Sequence, residues 1–435
     1  VENAFEEYLH GKDGEVEETR NASGTILSTV YTKEPEPGNN VYLTIDINLQ
    51  EAVERVLDAG VNALIRTREN EKMEQTAKGL WTFEDGKYEI TGAAAVVVNV
   101  KTGEPLAIAS WPTYDVTTII ENYADLMKAE NTPLFNRALM GAYAPGSTFK
   151  PCTAIAALTM GIVNTEDKIK CEGVYTRYAA EGYAPECWIW AQGYTHPLEN
   201  VTTALRDSCN YFFYNVGYQL ATRTGSYNEE AGLDTLSKYA DLYGLTDKSG
   251  VEIGEYAPDV STKDPVRSAI GQGSNSYTTV GLARYVTTIA NSGTCYNLTL
   301  LDKTTDSQGN LLKEYHAGVR NQIDLPQEYW DAFHLGMRQV VENKKYFSDL
   351  AVNAAGKTGT AEQTASRPNH ALFICYAPYE NPEIAIATRI PFGYSSDYAA
   401  QFTRDIIKYY YGLAEEDDLI TGTADTLDNA VSNEM

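Results

Sequence analysis

The sequence is short of positive charge, of cysteine and histidine, and of long apolar runs. Its 435 residues carry 34 Lys and Arg against 60 Asp and Glu, a net charge of -26. A nucleic-acid binder needs a basic stripe to neutralise phosphates, so nucleic acid is excluded as a partner. The same balance opposes docking on an anionic lipid surface. The acid excess itself reads as a solubility feature. No run reaches the roughly 18 to 20 apolar residues that span a bilayer. The most apolar stretch, Ala93 to Val100, is strand-sized. The chain opens at Val1 inside a charged helical pattern and reads as truncated, which leaves room for a preceding signal or membrane anchor. With only 6 cysteines, a disulfide framework is not what holds it together, and a chain this long can bury a sizeable core without one. Cys152 and Cys375 sit in apolar runs and read as core. Cys171, Cys187 and Cys209 lie in polar, irregular sequence and need another account.

What is present is ordinary globular material, with 43% hydrophobic and 22% charged residues. The length suits two or three domains, or one large domain with insertions. Residues 1 to 40 are charged and broken by Gly and Pro, and read as an arm or linker. Val41 to Ile45 reads as a strand. A helix follows, with Leu49, Val53, Val56, Leu57, Val61, Leu64 and Ile65 at helical spacing. Ala94 to Val100 and Leu106 to Ser110 read as two strands joined through Lys101-Thr102-Gly103. Residues 112 to 145 look mostly irregular. Ser147 to Met160 reads as an apolar helix, and 161 to 200 as polar turns. Thr202 to Leu220 reads as a helix interrupted near Ser208-Cys209-Asn210. Helices are expected over Val280 to Ala290, Tyr329 to Glu342 and Phe402 to Tyr411. Strands are expected over Asn353 to Glu362, Ala371 to Ala377 and Glu383 to Ile390. Ala414 to Met435 holds seven acids and no Lys or Arg, and is expected to be disordered. Strands early and late with helices between imply a mixed sheet with flanking helices.

Three short patterns carry chemistry. In Ser147-Thr148-Phe149-Lys150, serine and lysine at i, i+3 share a helix face. Serine is a poor nucleophile until a base takes its proton, and a lysine disfavoured as a cation can be that base. Taken alone, the pattern equally suits an N-cap serine beside a solvated lysine. In Ser208-Cys209-Asn210, a second hydroxyl could relay a proton and the amide could hold a lysine. The bland reading is a turn interrupting a helix. In Lys357-Thr358-Gly359-Thr360, Lys357 would add fixed positive charge, and Gly359 would let a substrate backbone lie close to the strand. The Thr360 N–H, with that of Ser147, could form an oxyanion hole. The bland reading there is a turn at a sheet edge, and Lys101-Thr102-Gly103 shows how easily those three residues recur.

The three patterns in this order match the S-x-x-K, S-D-N and K-T-G set of class A β-lactamases and penicillin-binding proteins. More of the chain agrees. Val41-Tyr42-Leu43-Thr44-Ile45-Asp46 with Leu49-Gln50, then Lys101-Thr102-Gly103 followed by Ala107, Ser110, Pro112 and Asp115, fit the same family. So do Asn136-Arg137-Ala138 leading to Tyr143-Ala144-Pro145-Gly146-Ser147, Ile270-Gly271-Gln272-Gly273, and the strand His370-Ala371-Leu372-Phe373. Over about residues 1 to 412 the chain resembles a class B penicillin-binding protein of the elongation type. It departs at Cys209, where the signature has Asp.

The resemblance implies an α/β (mixed α+β) transpeptidase fold with a central antiparallel sheet flanked by helices. It implies that residues 1–40 are the remnant of an N-terminal pedestal domain and 41–412 the transpeptidase domain, followed by the acidic tail. It implies a DD-transpeptidase that needs no cofactor for catalysis. Ser147 would attack the D-Ala-D-Ala amide of a peptidoglycan stem peptide, and an amine of a neighbouring stem would resolve the acyl-enzyme. β-Lactams would acylate Ser147. Lys150 would be the base, Ser208 the relay and Asn210 a polar holder. Lys357, Thr358 and Thr360 would bind the substrate. Implied too are a lipid-II glycosyltransferase partner and a place on the outer face of the bacterial cytoplasmic membrane, with an N-terminal anchor outside this sequence.

Cys171, Cys187, His196 and Cys209 form a candidate four-ligand set. Three thiolates and an imidazole suit tetrahedral structural Zn²⁺, and some elongation-type relatives resemble this with acidic, His and Cys ligands at matching places. A Cys171–Cys187 disulfide and three unrelated cysteines remain open as alternatives. His370 reads as a structural strand-end residue. Two other functions compete. A serine β-lactamase or carboxypeptidase would pass the acyl group to water, but no Glu stands in a convincing place after Ser208-Cys209-Asn210. A non-catalytic β-lactam sensor would acylate without transfer, and the intact motif set argues against it.

Overall fold

The structure is a computed structural model that describes residues 1–83, 87, 89–363, 366–415, 418 and 419. Most of the acidic tail therefore lies outside the described residues. Helix α1 (Ile47–Ala77) leads into strands β1 (Ala93–Asn99) and β2 (Pro105–Trp111). Helices α2 (Lys150–Thr159), α3 (Asn210–Thr222), α4 (Thr279–Ala290) and α5 (Gln327–Glu342) follow. Strands β3 (Ala355–Ala361), β4 (His370–Ala377) and β5 (Ile384–Ile390) come next, and helix α6 (Ser396–Tyr410) closes the fold. The five strands form one antiparallel sheet in the order β3-β4-β5-β1-β2.

Both faces of this sheet are covered, which is why β1 reads Ala-Ala-Ala-Val-Val-Val without polar alternation. Ala93, Ala95 and Val97 join the core beneath α1 and α6, with Leu57, Leu64, Phe402 and Ile406. Ala94, Val96 and Val98 join the larger core of the helical half. There α4 is buried along its whole length and backs the sheet. Asp46 starts α1, its carboxylate accepting from the N–H groups of Asn48 and Leu49 (2.9 and 3.2 Å). Edge strand β3 carries the Lys357-Thr358-Gly359 pattern, and among the described residues one of its backbone edges has no strand partner.

Several expectations need correction. Residues 1–40 are not a plain linker. They hold an antiparallel hairpin, Glu15–Arg20 with Ile26–Lys33, every residue of it exposed, and Phe5 is buried in the main core. A hairpin with no buried face shows no apolar alternation, so the pattern hid it. Helix α1 continues well past Ile65, through a stretch in which every second residue on average is charged. The stretch 112–145 holds short helices at Ile119–Leu126 and Arg137–Met140. A helix over Glu229–Leu242 falls outside the expected elements. The segment after Pro145 opens as a 3₁₀ turn, Gly146–Phe149, before α2 begins. Lys101-Thr102-Gly103 forms the β1–β2 turn, with the Lys101 N–H held by the Asn99 side chain (2.9 Å), and plays no part in the site.

Candidate active site

The site is built where α2 points at the edge strand β3. A 3₁₀ turn has three residues per turn, so side chains at i and i+3 eclipse. The turn at Gly146–Phe149 thus stacks Ser147 over Lys150 on one face. Gly146 is there for two reasons: its φ is +53°, and a Cβ would lie 2.6 Å from the Thr360 carbonyl oxygen.

Lys150 is fully buried. Its Nζ donates to the Ser208 carbonyl (2.7 Å), Ser208 Oγ (3.0 Å) and Asn210 Oδ1 (2.7 Å). Ser208 lies between helix Val201–Arg206 and α3, with φ at +52°, a conformation that a non-glycine residue holds only when its surroundings fix it. Asn210 is the first residue of α3. Lys357, also fully buried, reaches across from β3 and donates to Ser208 Oγ (2.9 Å) and to the Thr358 carbonyl (3.1 Å). Two amines from different halves of the fold therefore meet on one hydroxyl oxygen.

These groups open on a cleft of about 340 Å³, lined by Ser147, Ser208, Asn210, Thr358 and Thr360 among others. A Cβ at Gly359 would meet Thr148 Cγ2 at 2.6 Å and the Pro145 carbonyl at 2.8 Å. The glycine lets the strand approach the Ser147 turn. His370 is buried, its Nδ1 accepting from the Phe392 N–H (3.1 Å) and its ring packed between Tyr143 and Phe392, so it is structural as expected. The cleft also takes in Trp188, Tyr214, Arg267 and Glu362, which no motif marks.

Behind the cleft lie Cys171, Cys187, His196 and Cys209. All four are buried, with their ligand atoms within 4.8 Å of one another. A two-residue ladder, Ile169 with Glu199 and Lys170 with Leu198, sets Cys171 beside the His196 segment. The cysteines are free, so no Cys171–Cys187 disulfide forms. Cys187 Sγ is 3.4 Å from His196 Nδ1. A tetrahedral centre with bonds of about 2.3 Å holds its ligand atoms roughly 3.8 Å apart, so the donor set and its spread fit a Zn²⁺-sized ion. The cluster is wired to the site twice. Cys209 lies between Ser208 and Asn210. Trp188, next to Cys187, sends its indole N–H to the carbonyls of Asp207 (3.3 Å) and Ser208 (3.2 Å).

Comparison with known proteins agrees with this geometry. The family model of the penicillin binding protein transpeptidase domain matches residues 93–408, and that of the penicillin-binding protein dimerisation domain matches residues 1–43. The chain is 26% identical to the peptidoglycan D,D-transpeptidase MrdA of Escherichia coli over 94% of its own length and 63% of that protein's. It is 25% identical to penicillin-binding protein 2A of Bacillus subtilis, over 96% of this chain and 58% of the relative. The chain thus spans less than two thirds of the curated relatives it matches. Among solved structures it is similar to a component of a peptidoglycan synthase complex that coordinates polymerisation and crosslinking (TM-score 0.77, 26% identity, 95% of this chain and 70% of that one). It is also similar to Pseudomonas aeruginosa PBP2 (TM-score 0.70, 25% identity, 96% and 82%).

Proposed function

The chain belongs to the class B penicillin-binding proteins of the elongation type, and we propose that it is a peptidoglycan DD-transpeptidase with Ser147 as its nucleophile. The observation that carries this is the convergence of Lys150 and Lys357 on Ser208 Oγ, beside Ser147 in one cleft. Lys150 lies one turn from Ser147, buried and held by Ser208 and Asn210, the placement that a base for the Ser147 proton needs. Ser147 Oγ attacks the carbonyl of the penultimate D-Ala. Lys150 takes its proton, and the Ser147 and Thr360 N–H groups hold the oxyanion. Ser208 Oγ, which accepts from both amines, passes its own proton to the departing D-Ala amine and recovers one from the Lys150 ammonium. An amine from a second stem then attacks the ester, releases Ser147 and forms the cross-link. The open edge of β3 suits an extended peptide as a further strand, with Lys357, Thr358 and Thr360 toward its terminal carboxylate. In this reading residues 1–40 are the end of a pedestal domain and 41–412 the catalytic domain.

Cys171, Cys187, His196 and Cys209 are read as the holders of a structural Zn²⁺. Four protein ligands leave no open position for substrate or water, so the ion would fix the loop carrying Ser208 and Asn210 and take no part in the chemistry. Among the described residues no helix is long and apolar enough to cross a membrane. Action at the outer face of the cytoplasmic membrane and partnership with a lipid-II polymerase are proposed from the relatives. The solved complex supports the second, since it joins polymerisation to crosslinking.

The test is intact-mass spectrometry after incubation with benzylpenicillin, with the free drug followed in parallel. A stable adduct with little drug consumed is expected. Drug hydrolysed without an adduct would move the assignment to a hydrolase, for which Glu362 is the carboxylate in the cleft. Drug left intact without an adduct would sink the acyltransferase reading. Trp188→Phe removes one N–H shared by two carbonyls and keeps the ring. It is expected to slow acylation about twofold to tenfold, the worth of one hydrogen bond, as measured with a fluorescent penicillin.

A further inference from the structure

Arg267 lines the cleft as a cation that the proposed chemistry does not use. It lies on the short helix Pro265–Ser268, its backbone N–H held by Asp264 Oδ1 (2.9 Å). The other oxygen of Asp264 accepts from the Tyr183 hydroxyl (2.7 Å). That carboxylate is therefore engaged, and the Arg267 guanidinium makes no salt bridge or hydrogen bond to any described residue. The side chain is exposed and lines the same cleft as Ser147. Glu362 lines it too, and no ion pair joins the two.

The other cations of the site are spoken for. Lys150 and Lys357 are fully buried and tied to Ser208, which lines the cleft. The proposed function assigns the terminal carboxylate of a D-Ala-D-Ala donor to Lys357, Thr358 and Thr360, so the Arg267 guanidinium is surplus to that recognition. The setting sharpens the point. A chain of net charge -26 repels an anionic peptide, and a local exposed cation offsets that repulsion where the peptide must enter. Guanidinium and carboxylate also match as a planar, two-bond pair.

We propose that Arg267 is a specificity residue that binds a second carboxylate on the acyl donor, upstream of D-Ala-D-Ala. This rests on the reading of Ser147 as the acylated nucleophile. Stem peptides offer two sources of such a group: the α-carboxylate of a γ-linked D-glutamyl residue, or the spare carboxylate of a diamino acid at the third position.

The probes are benzylpenicillin and carbenicillin, which differ by one carboxylate on the side chain. Acylation rate constants are compared for the wild type, Arg267→Gln and Arg267→Glu. Arg267 is exposed, so both variants should fold. Benzylpenicillin should change less than about twofold. Carbenicillin should fall about threefold to tenfold in Arg267→Gln, as a partly screened charged hydrogen bond warrants, and further in Arg267→Glu. A carbenicillin-to-benzylpenicillin ratio equal in all three proteins would overturn the proposal alone. Failure of benzylpenicillin to acylate the wild type would remove the nucleophile assignment with it. Donor peptides amidated at the second or the third residue then identify the source. Loss of the Arg267 effect on amidating one of them supports the proposal, and independence of Arg267 in every donor counts against it.

Discussion

Lys150→Met is expected to slow acylation of Ser147 by benzylpenicillin about a thousandfold, while Ser147→Ala leaves no adduct at all. The size follows from the role. A positioned base is worth roughly 10² to 10⁴ in rate, and Lys150 is the amine that shares the Ser147 face and touches Ser208 Oγ at 3.0 Å. Methionine matches the buried stem in length and apolarity, so the cavity stays filled. It also leaves the Ser208 carbonyl and Asn210 Oδ1 without the donor they have now. That costs about 1 to 3 kcal/mol of stability, and thermal melting separates this loss from the loss of rate. A correctly folded Lys150→Met protein acylated within tenfold of the wild-type rate would remove Lys150 from the role of base. Ser208→Ala provides the contrast. It keeps the amine of Lys150 on Asn210, and should slow acylation less than Lys150→Met does.

The motifs of the candidate site were legible because each is local and chemically narrow. Ser147 with Lys150 needs only one turn of chain, and Ser208 with Asn210 only the start of a helix. The structure supplies what spacing cannot: Lys357 arrives from 149 residues further along the chain to meet the same oxygen. The sheet was legible for a related reason, since strands covered on both faces are continuous apolar runs. The exposed hairpin at Glu15–Arg20 and Ile26–Lys33 was not, because nothing buried writes a period into it. Nor was the charged end of α1. No apolar stripe marks residues 66 to 77, yet adding residues to an existing helix costs far less than starting one, and Arg68 pairs with Glu71 one turn on. Trp188, Tyr214, Arg267 and Glu362 join the cleft only through tertiary folding. At Gly359 the glycine was rightly marked as a point of close approach, and the Ser147 turn is the backbone that comes close.

Removing metal should lower the melting temperature by at least about 3 °C and slow acylation about tenfold. The first effect is stability: a closed thiolate–imidazole site adds metal-binding energy to folding, and even 1 to 2 kcal/mol of it is visible in a melt. The second follows from where the ligands stand. Cys209 is the residue between Ser208 and Asn210, and Cys187 precedes the tryptophan whose indole holds the Ser208 carbonyl. Without a central cation, Cys187 and His196 compensate each other. Contacts with Cys171 and Cys209 draw the Cys187 thiol down, burial raises that of Cys209, and the neighbouring thiols outweigh burial to lift His196 to about 9. Such a pocket favours positive charge at its centre. The measurement is zinc content by elemental analysis, with melting and acylation followed before and after a chelator, for the wild type and Cys171→Ser. Cys171 is the ligand furthest in sequence from Ser208, so its loss reports on the ion and leaves the residues of the serine loop intact. Equimolar zinc in the wild type, its loss in Cys171→Ser and matching losses of stability and rate are expected. A chain that takes up no zinc and is indifferent to chelation would reduce the cluster to four packed side chains. The backbone of Ser208, φ +52°, would then be held by Trp188, Lys150 and Lys357.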